Sequence, residues 1–138
     1  MDFNGSEIID SDMHNSTISG CKFMSTQILN TFMFSSKISY VHFEESNFES
    51  SKMDYINIDS SYFSGSSFKN TSLKKAKFAY SNLSSTDFRN TNLKDASFYK
   101  VILIGSNVSD QQLQQAISIK CTVLPNGEVT YTENDYCS

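Results

Sequence analysis

Residues 86–98 read TDFRNTNLKDASF, with large apolar residues at Phe88, Leu93 and Phe98. That spacing of five fits neither the 3.6-residue period of a buried helix face nor the two-residue period of a half-buried strand. Extended in both directions, the register takes in 23 positions from Phe3 to Leu113, and every one is Phe, Ile, Met, Leu or Val. Those five types make up 39 of the 138 residues, so chance would produce such a run with a probability on the order of 10⁻¹³. Two residues before each centre, from Ser6 to Ser106, 18 of 21 positions are Ser, Thr, Ala or Cys, the exceptions being Val41, Ile56 and Val101. The other three positions of each five are mostly polar.

Stretches such as SNLSS, TDFRN, TNLKD and ASFYK resemble the pentapeptide-repeat family, whose consensus is A-(D/N)-L-x-x, over residues 1 to about 115. The resemblance implies an all-β fold, a right-handed quadrilateral β-helix. In it four pentapeptides form the four sides of a square coil, and the central and small residues point inward. Stacked coils should then align similar residues twenty apart. The columns do so: Phe3, Phe23, Phe43, Phe63, Leu83, Leu103; Ile8, Ile28, Phe48, Phe68, Phe88, Val108; Met13, Met33, Met53, Leu73, Leu93, Leu113; Ile18, Ile38, Ile58, Phe78, Phe98. About 5.5 coils at ~4.8 Å per layer make a rod of roughly 25–30 Å. One coil cannot bury its own centres, so stacking completes both the core and the backbone pairing. Replacing Phe88 with Asp or Thr86 with Trp should therefore be severe, whereas Arg89 should tolerate change.

A chain of this length fits one domain, and 38% hydrophobic residues suffice for a core. We divide it into a β-helix over 1–115 and a capping tail over 116–138. The apolar register begins at residue 3 with no capping segment before it, so the expectation is either a piece of a longer chain or a first coil covered by a partner or by end-to-end self-association. In the tail, SDQQLQQAISI offers Ser109 or Asp110 as an N-cap, with Leu113, Ala116 and Ile117 at helical spacing, predicting a short helix over the last coil. CTVLPNGEVTY then predicts a hairpin-like turn at Pro125-Asn126-Gly127. Ile102 and Ile104 are expected to lie under that tail.

Cys21 falls in a small inward slot, and Cys121 reads as the same column five coils on, roughly 24 Å away and beyond disulfide reach. Cys121 and Cys137 bracket the hairpin and are the candidate disulfide, with free thiols the alternative. A bond there favours an extracellular or lumenal location; without it the cytoplasm is the expectation. Five N-x-S/T sequons, at Asn4, Asn15, Asn70, Asn82 and Asn107, add little, because composition alone gives about three. No run reaches the roughly 20 apolar residues of a membrane span, and the first residues have neither the basic start nor the apolar stretch of a signal peptide.

No metal-ligand spacing, phosphate loop or nucleophile motif is present, so neither a catalytic role nor a cofactor is expected. His14 and His42 fall at isolated outward positions. The net charge of −4 conceals a gradient: residues 1–60 carry nine acids and three bases, residues 61–120 three acids and eight bases. Outward columns follow it, as in Ile9, Leu29, Glu49, Lys69, Arg89 and in His14, Phe34, Asp54, Lys74, Lys94. Glu49 with Lys69 and Asp54 with Lys74 are candidate cross-layer pairs. Ile9, Met24, Leu29, Phe32 and Phe34 form the candidate protein contact. Lys69, Lys74, Lys75, Lys77, Arg89, Lys94 and Lys100 form a candidate basic surface, for which nucleic acid is not the expected partner. The leading expectation is a non-enzymatic structural or protein-protein interaction module with flat faces. The alternative comes from bacterial members of the family that imitate DNA and bind type II topoisomerases such as gyrase. That role implies acids along the whole rod, whereas here they give way to bases at Lys69.

Overall fold

A computed structural model describes residues 1–131 and 137. Its short parallel strands stack coil upon coil into a solenoid of about six turns. On one wall, β1 (Glu7–Ile9) pairs with β3 (Gln27–Leu29). On another, β2 (Thr17–Ser19), β4 (Lys37–Ser39), β5 (Asn57–Asp59), β6 (Lys77–Ala79), β7 (Ser97–Tyr99) and β8 (Ser118–Lys120) form a six-stranded parallel sheet in that order. Single bridges such as His42 to Tyr62 and Lys52 to Ser72 complete the other walls. The register is twenty residues from β1 through β7, as the columns predict. We number the walls by their centres in the first coil: Phe3, Ile8, Met13 and Ile18 for walls one to four.

The centres fill the interior. Phe43, Phe48, Met53, Ile58, Phe63, Phe68, Leu73, Leu83, Phe88 and Leu93 are fully buried. Rings stack along the axis: Phe3, Phe23, Phe43 and Phe63 lie 4.8, 5.0 and 5.1 Å apart in succession, and Phe48, Phe68 and Phe88 lie 5.1 and 5.6 Å apart. These distances match the interlayer spacing of hydrogen-bonded strands. Phe3, Ile8 and Met13, in the first coil, are only partly buried.

Two further rules hold the coil together. Every fifth residue from Gly5 to Gly105 has a positive φ, between 49° and 72°, so the backbone turns each corner through a left-handed residue. Only four of these are glycine; the rest include Asn, Asp, Ser, Lys and three tyrosines, each at a steric cost of roughly 1–2 kcal/mol. Stacking against both neighbouring layers offsets that cost. The second rule explains why the small inward residues are mostly Ser and Thr. Ser46 Oγ accepts from the Thr26 N–H at 3.1 Å and donates to the Phe23 carbonyl at 2.6 Å, tying three points of the ladder. Ser36 does the same with Ser16 and Met13, and Ser51 with Thr31 and Ile28. Ser46→Ala should therefore cost about 1–3 kcal/mol, since it strands a buried donor and a buried acceptor at once. A chemical-denaturation midpoint checks it; a midpoint equal to the parent's would mean the hydroxyl ladder is dispensable.

At the C-terminal end the chain does more than lie over a finished coil. Helix α1 (Asp110–Gln115) takes the place of a wall, with Ser109 as its N-cap in a reciprocal capping box with Gln112. Leu113 is partly buried against the core, while Ile117 falls beyond the helix and is 72% exposed. Asp95 N–H donates to the Gln115 carbonyl, twenty residues on, where Lys75 one coil earlier donates to Lys94, nineteen on, so one extra residue has entered by the end of the helix. From there the register is 21: β7 pairs with β8 as Ser97 to Ser118, and stacking continues past residue 115 to Val123 over Ile102. The slip corrects the reading of Cys121. Thr122, not Cys121, continues the small inward column, its Oγ1 3.4 Å from the Val101 N–H; Cys121 moves to the corner, with φ 49°. From that corner it is disulfide-bonded to Cys137. The hairpin forms around the predicted turn, with Val123 antiparallel to Val129. It leaves Ile102 and Ile104 38% and 49% exposed, contrary to the expectation that the tail covers them. Cys21, in the second coil, is half-buried rather than enclosed.

Candidate protein-interaction surface

With the inward positions committed to packing, the surface is written at the residue on either side of each centre and at the corners. Phe32 and Phe34 flank Met33 on the third wall, 41% and 36% exposed, with rings edge to face at 6.4 Å. Phe34 stacks on His14 one layer below at 4.8 Å, and Lys52 one layer above sits over the Phe32 ring at 5.3 Å. His14 in turn hydrogen-bonds Asp12, which holds that carboxyl below its ordinary range. The histidine thus braces the patch. Ile9 and Leu29 pair with each other on the second wall, one corner away from Phe32. Met24 lies on the first wall, beyond the next corner. The five candidate contact residues therefore divide into a row on walls two and three, made of Ile9, Leu29, Phe32 and Phe34, and a separate Met24.

The candidate basic residues do not converge. Lys69 and Arg89 lie on the second wall, Lys74 and Lys94 on the third, Lys77 on the fourth, and Lys75 and Lys100 at two different corners. Several are engaged with neighbours. Lys69 approaches Glu49 at 3.9 Å, the expected cross-layer pair. Arg89 grips Asp87 through Nε and Nη2 at 3.0 and 2.7 Å, and that guanidinium, with the Asn107 amide, holds the Asp87 carboxyl well below the usual carboxylate range. Lys75 lies over Tyr55, and Lys100 over both Tyr80 and Tyr99. The expected Asp54 to Lys74 pair takes another form: the Asp54 carboxylate accepts from the Lys74 backbone N–H and from the Ser72 hydroxyl, so the ammonium is not what it binds.

Sequence reasoning missed a set of exposed corner and near-corner aromatics, Tyr40, Tyr62, Tyr80 and Tyr99, with His42 stacked on Tyr62 at 4.7 Å. Tyrosine at a left-handed corner has no helix or strand periodicity to reveal it. A depression of about 650 Å³ lies between α1 and the corner of walls two and three, lined by Arg89, Asn92, Asn107 and Gln112 among others. Two of its amides are already used: Gln112 Nε2 donates to the Phe88 and Thr91 carbonyls, and Asn107 spans Phe88 and Asp87. Among the described residues no group of His, Cys, Asp or Glu could hold a metal ion, and no helix is long and apolar enough to cross a membrane.

Comparison with known proteins agrees with this architecture. Residues 56–95 and 71–110 match the family model for pentapeptide repeats. Among solved structures, the chain is similar to a pentapeptide repeat protein from the Arabidopsis thaliana thylakoid lumen, at 15% identity and a TM-score of 0.68, covering 91% of this chain and 85% of that one. It is also similar to HetL, a pentapeptide repeat protein involved in heterocyst differentiation regulation from the cyanobacterium Nostoc sp. strain PCC 7120. There the identity is 14% and the TM-score 0.57, covering 94% of this chain and 64% of HetL, so the chain spans under two thirds of that protein. QnrB1, a plasmid-mediated fluoroquinolone resistance protein, superposes with a TM-score of 0.45 at 12% identity, over 91% of this chain and 84% of that one. At these identities the likeness is one of fold. No curated protein matches the chain.

Proposed function

We propose that this pentapeptide-repeat chain carries its function on its outward side chains, as a non-enzymatic protein-interaction rod whose contact surface centres on Phe32 and Phe34. The observation that carries this reading is the exposed aromatic pair itself. Two phenylalanines side by side on one wall, with Leu29 and Ile9 round the corner, give a contiguous apolar strip that the described chain leaves open to solvent. Strips of that kind mark sites covered by a partner. Lys52 over Phe32 and the His14 ring against Phe34 brace the pair, as a preorganised contact requires.

The reading predicts that Phe34→Ser weakens capture of the partner at least about tenfold, roughly 1.4 kcal/mol, while the circular dichroism melting curve stays close to the parent's. A quantitative pull-down with an unchanged set of partners at unchanged recovery would sink the patch. Inhibition of gyrase supercoiling by micromolar protein would replace the reading with DNA mimicry. The bases at Lys69, Lys74, Arg89 and Lys94 on the same two walls speak against that outcome, since a DNA mimic needs acids there.

A further inference from the structure

The apolar strip is bordered mainly by negative charge. One layer below it, walls two and three carry Glu7, Asp10 and Asp12, all exposed. One layer above it they carry Glu49 and Asp54, with Lys52 between them. Across these three layers the two walls thus hold five acids and one base. The carboxylates are positioned rather than loose. Asp10 accepts from the Asn30 amide at 2.7 Å, Asp12 is held by His14 with its carboxyl kept ionised, and Asp54 accepts from Ser72 and Lys74. Lys69 draws part of the Glu49 charge, so the acidic field is strongest on the lower side. The single base, Lys52, is spent over the Phe32 ring.

From this juxtaposition we propose that the strip receives a basic protein segment, in which apolar anchors seat on Leu29, Phe32 and Phe34 and flanking Lys or Arg side chains reach Glu7, Asp10, Asp12 and Asp54. The proposal rests on the contact-surface reading above and specifies the chemistry of the partner. Apolar contact supplies the affinity of such a complex, and the carboxylate border selects the sign of the partner and speeds encounter. A nucleic acid or an acidic segment is turned away from this site by the same carboxylates. The basic coils further along the rod do not substitute for it, because their walls expose no comparable apolar strip next to Lys69, Lys74 or Lys94.

The test uses two fluorescein-labelled synthetic peptides of alternating Leu and Lys, or Leu and Glu, titrated with the whole chain and followed by fluorescence anisotropy. The Lys peptide should bind at least about tenfold tighter than the Glu peptide. Replacing Glu7, Asp10 and Asp12 together by Lys should remove that preference, while Phe34→Ser should weaken the Lys peptide by a similar factor. Thermal melts of both variants establish that they are folded. Equal binding of the two peptides, no binding of the Lys peptide, or an unaltered preference in the triple variant would overturn the basic-segment proposal and leave the contact surface standing. Full binding by the Phe34→Ser variant would instead remove the contact surface itself.

Discussion

Phe68→Ala should lower the stability of the chain by about 3–5 kcal/mol, the range found when a fully enclosed aromatic ring is deleted from a tight core. Phe68 sits near the middle of the rod with no exposed surface, stacked between Phe48 at 5.1 Å and Phe88 at 5.6 Å and tilted against Phe63 at 5.6 Å. The coils above and below are pinned by parallel ladders at fixed spacing, so the walls cannot collapse into the vacated volume, and the loss should fall at the upper end of that range. In a repeat protein each layer is stabilised only by its neighbours, so a weak central layer also divides the rod into two short halves. Urea unfolding is expected to show a lower midpoint and, if the halves decouple, a shallower transition. A midpoint within experimental error of the parent's would mean that the interior is not packed as described.

Thr86→Trp should be at least as damaging by the opposite route. Thr86 is 2% exposed, and its Oγ1 donates to the Leu83 carbonyl at 2.6 Å. Its column continues below with Ser66 and Ser46 and above with Ser106, all small. An indole there has no cavity to enter, and the corner cannot open without breaking the ladder on both sides. Overpacking usually costs about 1–3 kcal/mol, and more where the backbone cannot give way. The expected outcome is a chain recovered mainly as insoluble material, or a soluble one melting far below the parent. A well-folded variant with a parent-like melt would show that the corners are roomier than their hydrogen bonds allow.

How much of this was readable beforehand follows from what each position has to do. The inward residues were legible because packing is selective: Phe88, Leu93 and Phe98 have to be large and apolar, and Thr86, Thr91 and Ala96 have to be small. Twenty-residue columns gave the register through β7 for the same reason. Corners were not legible, because a left-handed turn constrains the backbone and leaves the side chain in solvent, so Tyr40, Ser60, Lys75 and Asp95 all occupy it. The residue added by the end of α1 was hidden too. A short helix replaces a wall there, and nothing in the apolar spacing signals where the pentapeptide count stops, which is why Cys121 reads as the small inward residue when it is the corner just before it. Of the candidate surface, exposure of Phe32 and Phe34 could be read from their positions beside Met33. Grouping required the walls: the corner at Ser25 puts Met24 on a different wall from Leu29, two corners from Phe32, and the bases from Lys69 to Lys100 face several directions.

The central claim is that inward residues specify the fold and outward ones the partner. The most direct test is urea denaturation of the double variant Phe32→Ser/Phe34→Ser, measured beside Phe68→Ala. The account predicts that the double variant loses partner binding while its unfolding free energy falls by less than about 1–2 kcal/mol, because both rings are already partly in water. A loss equal to that of Phe68→Ala would contradict it.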